Sequence, residues 1–559
     1  MKRLSTCSTQ LNPIRCRFRL PAVLSASGVL NNSARGARLR YVSLMLMTAA
    51  MFAGISACTQ SQPNVIVITA TFQPIESIVA PTLPDDAAPL LTPILPVESP
   101  TPDPTRPAAV VTTATEYVVQ PGDTLYAIAQ ANGVSLEALL AANTQITDPN
   151  LLSVGQTINL PDPPNETTGD FKIIPDSRLV RGPGSGAFNV AGFITQQPGY
   201  ISIAADVVDD RLLSAAEVVQ RVSLEYSVDA RLLLALLEYR AGWLTKTELS
   251  DTQKIYAMEG RASPAGFDRS GLYRQLAWAA NQLNRAYYGW RYRGLANLEF
   301  EDGTRLRFTP GLNAGTVGVQ YFLSQNTAYA DWTQQVSAEG FYRLYTTYFG
   351  NPFADSIDPL VPAAVQQPPM TLPFPQGQTW FFTGGPHGGW GSGSAWAAID
   401  FAPPDDRPDG SPACYVSEYP ATAVAPGMIV RSEGGSVILD LDMDGDETTG
   451  WTVLYLHIAS EGRAVTGSIL QAGDLIGYPS CEGGFSNGTH VHIARRYNGE
   501  WIPSHCDQCA PGYETPPFVL GGWTVYGLTN QEYQGYLQNG GERRIAEQGR
   551  LIPDNRVSR

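Results

Sequence analysis

Histidine is almost missing from this sequence: there are five in 559 residues, and none before residue 387. Imidazole chemistry is therefore excluded from the first 386 residues. Charge is also scarce, at 16% of residues, and it leans acidic, with a formal net charge of -15. That balance excludes a nucleic-acid partner and charge-driven docking on an anionic lipid surface. Cysteine does not occur between Cys58 and Cys414, so no disulfide staples the centre of the chain. Hydrophobic content is ordinary at 43%, and 53 Gly with 43 Pro indicate many turns and at least one linker. The length exceeds what one core serves, so three or four domains are expected.

The longest apolar run, residues 41–57, follows Arg35, Arg38 and Arg40 and closes on small residues. This is the order of a secretory signal. At ~17 apolar residues it is marginal for a membrane span. Ile55-Ser56-Ala57-Cys58 resembles a lipobox, which implies that Cys58 is lipidated and that residues 1–58 form a signal and lipobox region. Extracytoplasmic placement, at the cell surface or in the periplasm, with the membrane as a partner through the lipid, follows from that resemblance. Residues 59–115, rich in Pro and Thr, cannot form a core and are expected to be an extended spacer.

Residues 116–161 have the pattern strand, helix, helix, strand. Tyr117-Val118-Val119 is a short strand, Asp123 or Thr124 caps a helix through Ala131, Ser135 opens a second ending near Asn143, and the segment 155–160 closes. The text YVVQPGDTLYAIAQANGVSLEALLAANTQI and VGQTINLP resembles a LysM module. The resemblance implies a β-α-α-β fold that binds N-acetylglucosamine chains of peptidoglycan in a groove near Gly122, Asp123, Thr124 and Ile146.

Residues 170–360 predict a mostly α-helical domain. Ser214 to Glu217 is a capping box. Ser227 is expected to cap a helix through VDARLLLALLEYRA, and another runs through LYRQLAWAANQLNRAYY. Glu238 near a helix end is similar to the acid of the lysozyme-like transglycosylases, which implies a muramidase as an alternative function and a degenerate lysozyme-like fold. Tyr239 stands where that family has Ser, so a structural or wall-docking role is preferred for the helices.

A second Pro-rich linker is expected at 361–374. Beyond it come short strands and Gly-rich turns, which predict a mostly antiparallel β domain over 375–525, followed by a tail at 526–559. All five histidines lie in this part of the chain. His490 and His492 are two apart in a strand, so both imidazoles share a face. His387, Asp400 and His492 supply three N and O ligands, the number a catalytic zinc takes while keeping one position for water. A free imidazole can then take a proton and return it, and another can hold an oxyanion. His505 is expected to be packed rather than catalytic.

This constellation resembles the lysostaphin/LytM-type zinc metallopeptidases. That implies zinc ligands at His387, Asp400 and His492, a catalytic pair at His457 and His490, and peptide bonds of peptidoglycan as substrate. The family's H-x-x-x-D is stretched here to 13 positions between His387 and Asp400, which points to the beta-lytic branch. A non-catalytic surface adaptor is the other alternative, and loss of ligands would mark it; none is missing. Cys414, Cys481, Cys506 and Cys509 are expected to form two disulfides, with pairing open and a metal at Cys506-x-x-Cys509 the weaker reading. Asp440 to Asp446 resembles a D-x-D-x-D-G calcium loop, but the twelfth place holds Trp451, so a hairpin turn is expected.

Overall fold

The computed structural model describes residues 116–559, except 121–122, 147–150, 162–163, 165, 409, 507–508, 510–511, 530 and 550–551. The expected signal region, Cys58, the first linker and Gly122 lie outside the described residues.

The first unit follows the pattern of its sequence. β1 (Glu116–Val118) pairs antiparallel with β2 (Thr157–Asn159), and between them run α1 (Leu125–Ala131) and α2 (Leu136–Ala141). Thr124 caps α1 by accepting the Ala127 N–H at 3.1 Å, and Ser135 caps α2 through Ala138 at 3.1 Å. Leu125, Ile128, Val134, Leu139 and Ile158 close a small core. Asn143 welds its edge, bonding Leu139 and both the N–H and C=O of Asn159.

The helical region is built around α3 (Ala215–Tyr226), α4 (Ala230–Ala241), α5 (Leu272–Tyr292) and α6 (Ala314–Ser324). The capping box at Ser214 and Glu217 is present. Ser227, however, does not cap α4. It terminates α3 in the left-handed region with φ 53, and Asp229 caps α4 through the Arg231 N–H. The Val228 between them is fully buried, so the chain must turn sharply there before it can enter a new helix. Leu232, Leu233, Leu234, Leu236 and Leu237 are all inaccessible, which makes α4 the buried centre of the region rather than a surface helix.

The C-terminal region is an antiparallel sheet. In chain order its main strands are β3 (Thr379–His387), β4 (Ala398–Ala402), β5 (Gly427–Glu433), β6 (Ser436–Asp440), β7 (Trp451–Leu456), β8 (Ile469–Leu470) and β9 (Val491–Tyr497). They lie side by side as β8-β5-β6-β7-β9-β4-β3. Strands such as WTVLYL are buried on both faces, which explains their continuous apolar runs. One face, with Val453, Tyr455, Phe401 and Ile493, packs on a β-layer core. The other, with Leu454, Leu456, Ala398 and Ala494, joins the core of the helices.

Two expectations are corrected here. Residues 361–374 are not a free linker, because Met370, Leu372 and Phe374 are buried in the sheet's core. Residues 526–559 are not a tail. β10 (Val519–Leu520), β11 (Trp523–Leu528), β12 (Gln531–Asn539) and β13 (Glu542–Ile545) form a second antiparallel sheet, and β14 (Arg556–Ser558) pairs with the free edge of β3. The apolar positions Val525, Leu537, Ala546 and Val557 carry this packing. The cysteines pair as Cys414–Cys481 and Cys506–Cys509. Among the described residues, no helix is long and apolar enough to cross a membrane.

Candidate metal centre

Strand register assembles the site. Asp400 in β4 lies directly opposite His492 in β9, whose other neighbour is Leu456, the residue before His457. His387 ends β3, paired with Ala398 of β4. The ten residues between His387 and Ala398 loop out and dock on α5. The Gly393 N–H donates to Asn281 at 3.0 Å, and a Cβ at Gly393 would fall 2.1 Å from the Asn281 carbonyl. That docking accounts for the stretched spacing between the first His and the Asp.

His387 Nε2 is 3.0 Å from His492 Nδ1. Asp400 Oδ1 stands 3.3 Å from the first and 3.4 Å from the second. His490 Nε2 is 3.6 Å from the same oxygen, and the His457 and His490 rings are 4.6 Å apart between centroids. The four expected histidines and Asp400 thus meet at one point of a cleft of about 930 Å³. His505 lies elsewhere, against Tyr526.

Each imidazole has one nitrogen on a backbone carbonyl: His387 Nδ1 on Gly385 at 2.8 Å, His492 Nε2 on Gly389 at 3.0 Å, His457 Nδ1 on Glu482 at 3.1 Å and His490 Nδ1 on Gly488 at 2.7 Å. A carbonyl only accepts, so those nitrogens carry the proton and the opposite lone pairs are aimed inward. Asp400 Oδ1 is buried and accepts no hydrogen bond. A buried carboxylate oxygen surrounded by imidazole lone pairs is a donor set short of a cation. His387, Asp400 and His492, all buried, form a group whose ligand atoms lie within 4.8 Å of one another, and the N and O donors suit zinc.

Burial opposes charge on His387, but the Asp400 carboxylate outweighs it and raises the pKa. Burial pushes Asp400 up, yet His387 and His490 hold it well below the usual carboxylate range. Burial lowers His492. Burial, reinforced by His490 and His492, pushes His457 down to about 3. His457 is also held at φ 66, a left-handed backbone that a bulky side chain rarely adopts.

Four residues at the site were missed from sequence. Tyr533 in β12, at φ 67, stacks on His387 with centroids 4.3 Å apart, and Glu532 accepts the Gly388 N–H at 3.2 Å. Tyr226 and Tyr273 of the helical region line the same cleft. Glu238 is turned to other work. Its carboxylate accepts the N–H groups of Leu244 and Thr245 and the Thr245 hydroxyl at 2.7, 3.3 and 2.7 Å, closing the end of α4. In the first unit, Asp123 accepts from the Tyr117 hydroxyl at 2.8 Å and the Gln120 N–H at 2.6 Å, and Ile146 packs against the small core.

Residues 172–363 match the LasA N-terminal domain. Sequence reading had not reached that family. Residues 117–161 match the LysM domain. The chain is similar to Protease LasA of Pseudomonas aeruginosa, at 26% identity over 323 residues, covering 54% of this chain and 70% of the relative. The N-acetylmuramoyl-L-alanine amidase XlyB of Bacillus subtilis is 48% identical over 56 residues, 10% of this chain and 17% of that protein. Among solved structures, the M23 metalloprotease pseudoalterin aligns at 22% identity with a TM-score of 0.25, over 34% of this chain and 99% of the other. The chain is multidomain, and its similarity to LasA supports a peptidase.

Proposed function

We propose that this chain is a zinc-dependent endopeptidase that cuts the peptide part of peptidoglycan, brought to the wall by its LysM module. The convergence of His387, Asp400 and His492 around an unpaired buried Asp400 oxygen carries this reading. Zinc bound there would supply Lewis acidity, lowering the pKa of a water and polarising the scissile carbonyl. His387, Asp400 and His492 would hold the ion. His457 and His490 share the remaining work. A neutral imidazole takes the proton released by the nucleophile and returns it to the leaving amine, while the other donates to the developing oxyanion. Burial holds the His457 imidazole in its neutral form. Tyr533, stacked on His387, fixes a ligand ring and shields it from water.

The similarity of residues 117–161 to LysM proteins supports binding of N-acetylglucosamine-containing glycans. Cys58, by its lipobox context, is proposed as the lipid anchor outside the cytoplasm. Labelled palmitate should mark the wild type and not Cys58→Ser; retention of residues 41–57 in the mature protein defeats the anchor.

The direct test of function is mass analysis of fragments released from purified peptidoglycan by the full chain. New amino termini, abolished by chelation and restored by zinc, are expected. New reducing sugars that persist in chelator and vanish in Glu238→Gln would replace this reading with the muramidase.

A further inference from the structure

The hairpin between β6 and β7 is the turn that its Gly and Asp content predicted, but its carboxylates do more than a turn requires. Asp440, the last residue of β6, is fully buried. Its Oδ2 accepts the Gly445 N–H at 3.0 Å, while its Oδ1 is buried with no hydrogen-bond partner. An ionised oxygen in that position is costly unless a positive charge faces it. The arginines beside the loop do not serve: Arg181, Arg431 and Arg496 converge on Glu447 at 3.1, 3.1 and 3.0 Å. What faces Asp440 is more negative charge. Ligand oxygens of Asp440, Asp442 and Asp444 lie within 4.8 Å of one another. Asp442 is folded so closely over Gly450 that a Cβ there would fall 2.1 Å from its Oδ2.

We propose that Asp440, Asp442 and Asp444 bind a calcium ion, at a site separate from the histidine centre. Three carboxylates and no nitrogen or sulfur select a hard cation. Asp442 and Asp444 are solvent-exposed, so water can complete the large, flexible shell that calcium accepts and that magnesium does not. The spacing is that of the first three ligands of a D-x-D-x-D-G loop, with a β-hairpin in place of the helix pair. The ion has a structural role. Glu447 in the same loop grips Arg181 of the helical region together with Arg431 and Arg496 of the sheet, so ordering the loop fixes a clamp between the two regions.

The full chain, freed of divalent ions and reloaded with zinc, tests this. Terbium emission excited through tryptophan should rise on binding, because Trp451 directly follows the loop, and calcium should suppress it while equimolar magnesium does not. Calcium should also raise the melting midpoint by several degrees. Asp442→Asn and Asp444→Asn, both at exposed positions, should weaken calcium binding at least tenfold and leave zinc content unchanged. Asp440→Asn should abolish binding if it folds. The proposal is overturned if the wild type shows neither terbium emission nor a calcium-dependent midpoint at ~10 mM, above the range of extracellular sites. It is equally overturned if the Asp442 and Asp444 variants bind as the wild type does.

Discussion

The four imidazoles of the cleft differ less in chemistry than in what stands opposite the free nitrogen. His387 and His492 face each other and Asp400 at 3.0 to 3.4 Å, whereas His490 stands 3.6 Å from Asp400 and the His457 ring is tilted against that of His490. Removing one of the first two leaves two donors, so His387→Ala and His492→Ala should each lower zinc content, measured by metal analysis of the purified chain. His457→Ala and His490→Ala should keep the ion and lose turnover by ~10²–10⁴-fold, the usual contribution of a general acid–base group. An empty site in His490→Ala beside a loaded, active His492→Ala would reverse these roles. The five residues were legible because histidine is so rare here and because a two-residue spacing on a strand fixes a shared face. Tyr533 and Glu532 were not, since nothing in QEYQGYLQN marks a polar strand that packs against β3.

At the level of elements, the capping box at Ser214 was readable because both its bonds are local. The start of α4 was not. Ser227 and Asp229 are both good caps by type, and the choice is made by a tertiary contact: the Ser227 hydroxyl donates to the Gly499 carbonyl at 2.6 Å, in a hairpin 272 residues away. Asp229 therefore caps, and it also binds Arg231 while itself buried. Asp229→Ala should lower stability by about 2 kcal/mol in denaturant unfolding, the upper range for a lost cap. No change would place the cap elsewhere. The Pro-rich stretch at 361–374 misled for a related reason. Proline forbids helix and ladder alike, but it does not forbid an extended segment from burying Leu372 and Phe374 against a neighbouring sheet.

On the scale of the whole molecule, the join between helices and sheet is polar as well as apolar. Arg291, fully buried, binds Asp176 at 2.9 Å and Glu500 at 3.2 Å, and Glu447 holds the three arginines described above. Burial alone would raise the Glu447 pKa, but Arg431, Arg496 and Arg181 bring it down to about 2 from an ordinary 4.5. A carboxylate whose pKa falls on folding contributes its stability above the unfolded value and loses it as pH drops through the folded one. Stability should therefore decline between about pH 4.5 and pH 2, by about 3 kcal/mol for this group. Glu447→Gln should be less stable at pH 7 and should flatten that decline in acid-unfolding curves; an unchanged slope would exclude the clamp as its source.

The sheet face that carries His492 is also the face on which the helices pack, and Tyr226 and Tyr273 form part of the cleft wall. Anyone wishing to transplant the proposed activity onto another carrier must therefore move residues from about 170 to 559 as one cassette. A graft that begins at the first strand of the sheet would bare Leu454, Leu456 and Ala494 to water and would strip the cleft of the wall that Tyr226 and Tyr273 supply.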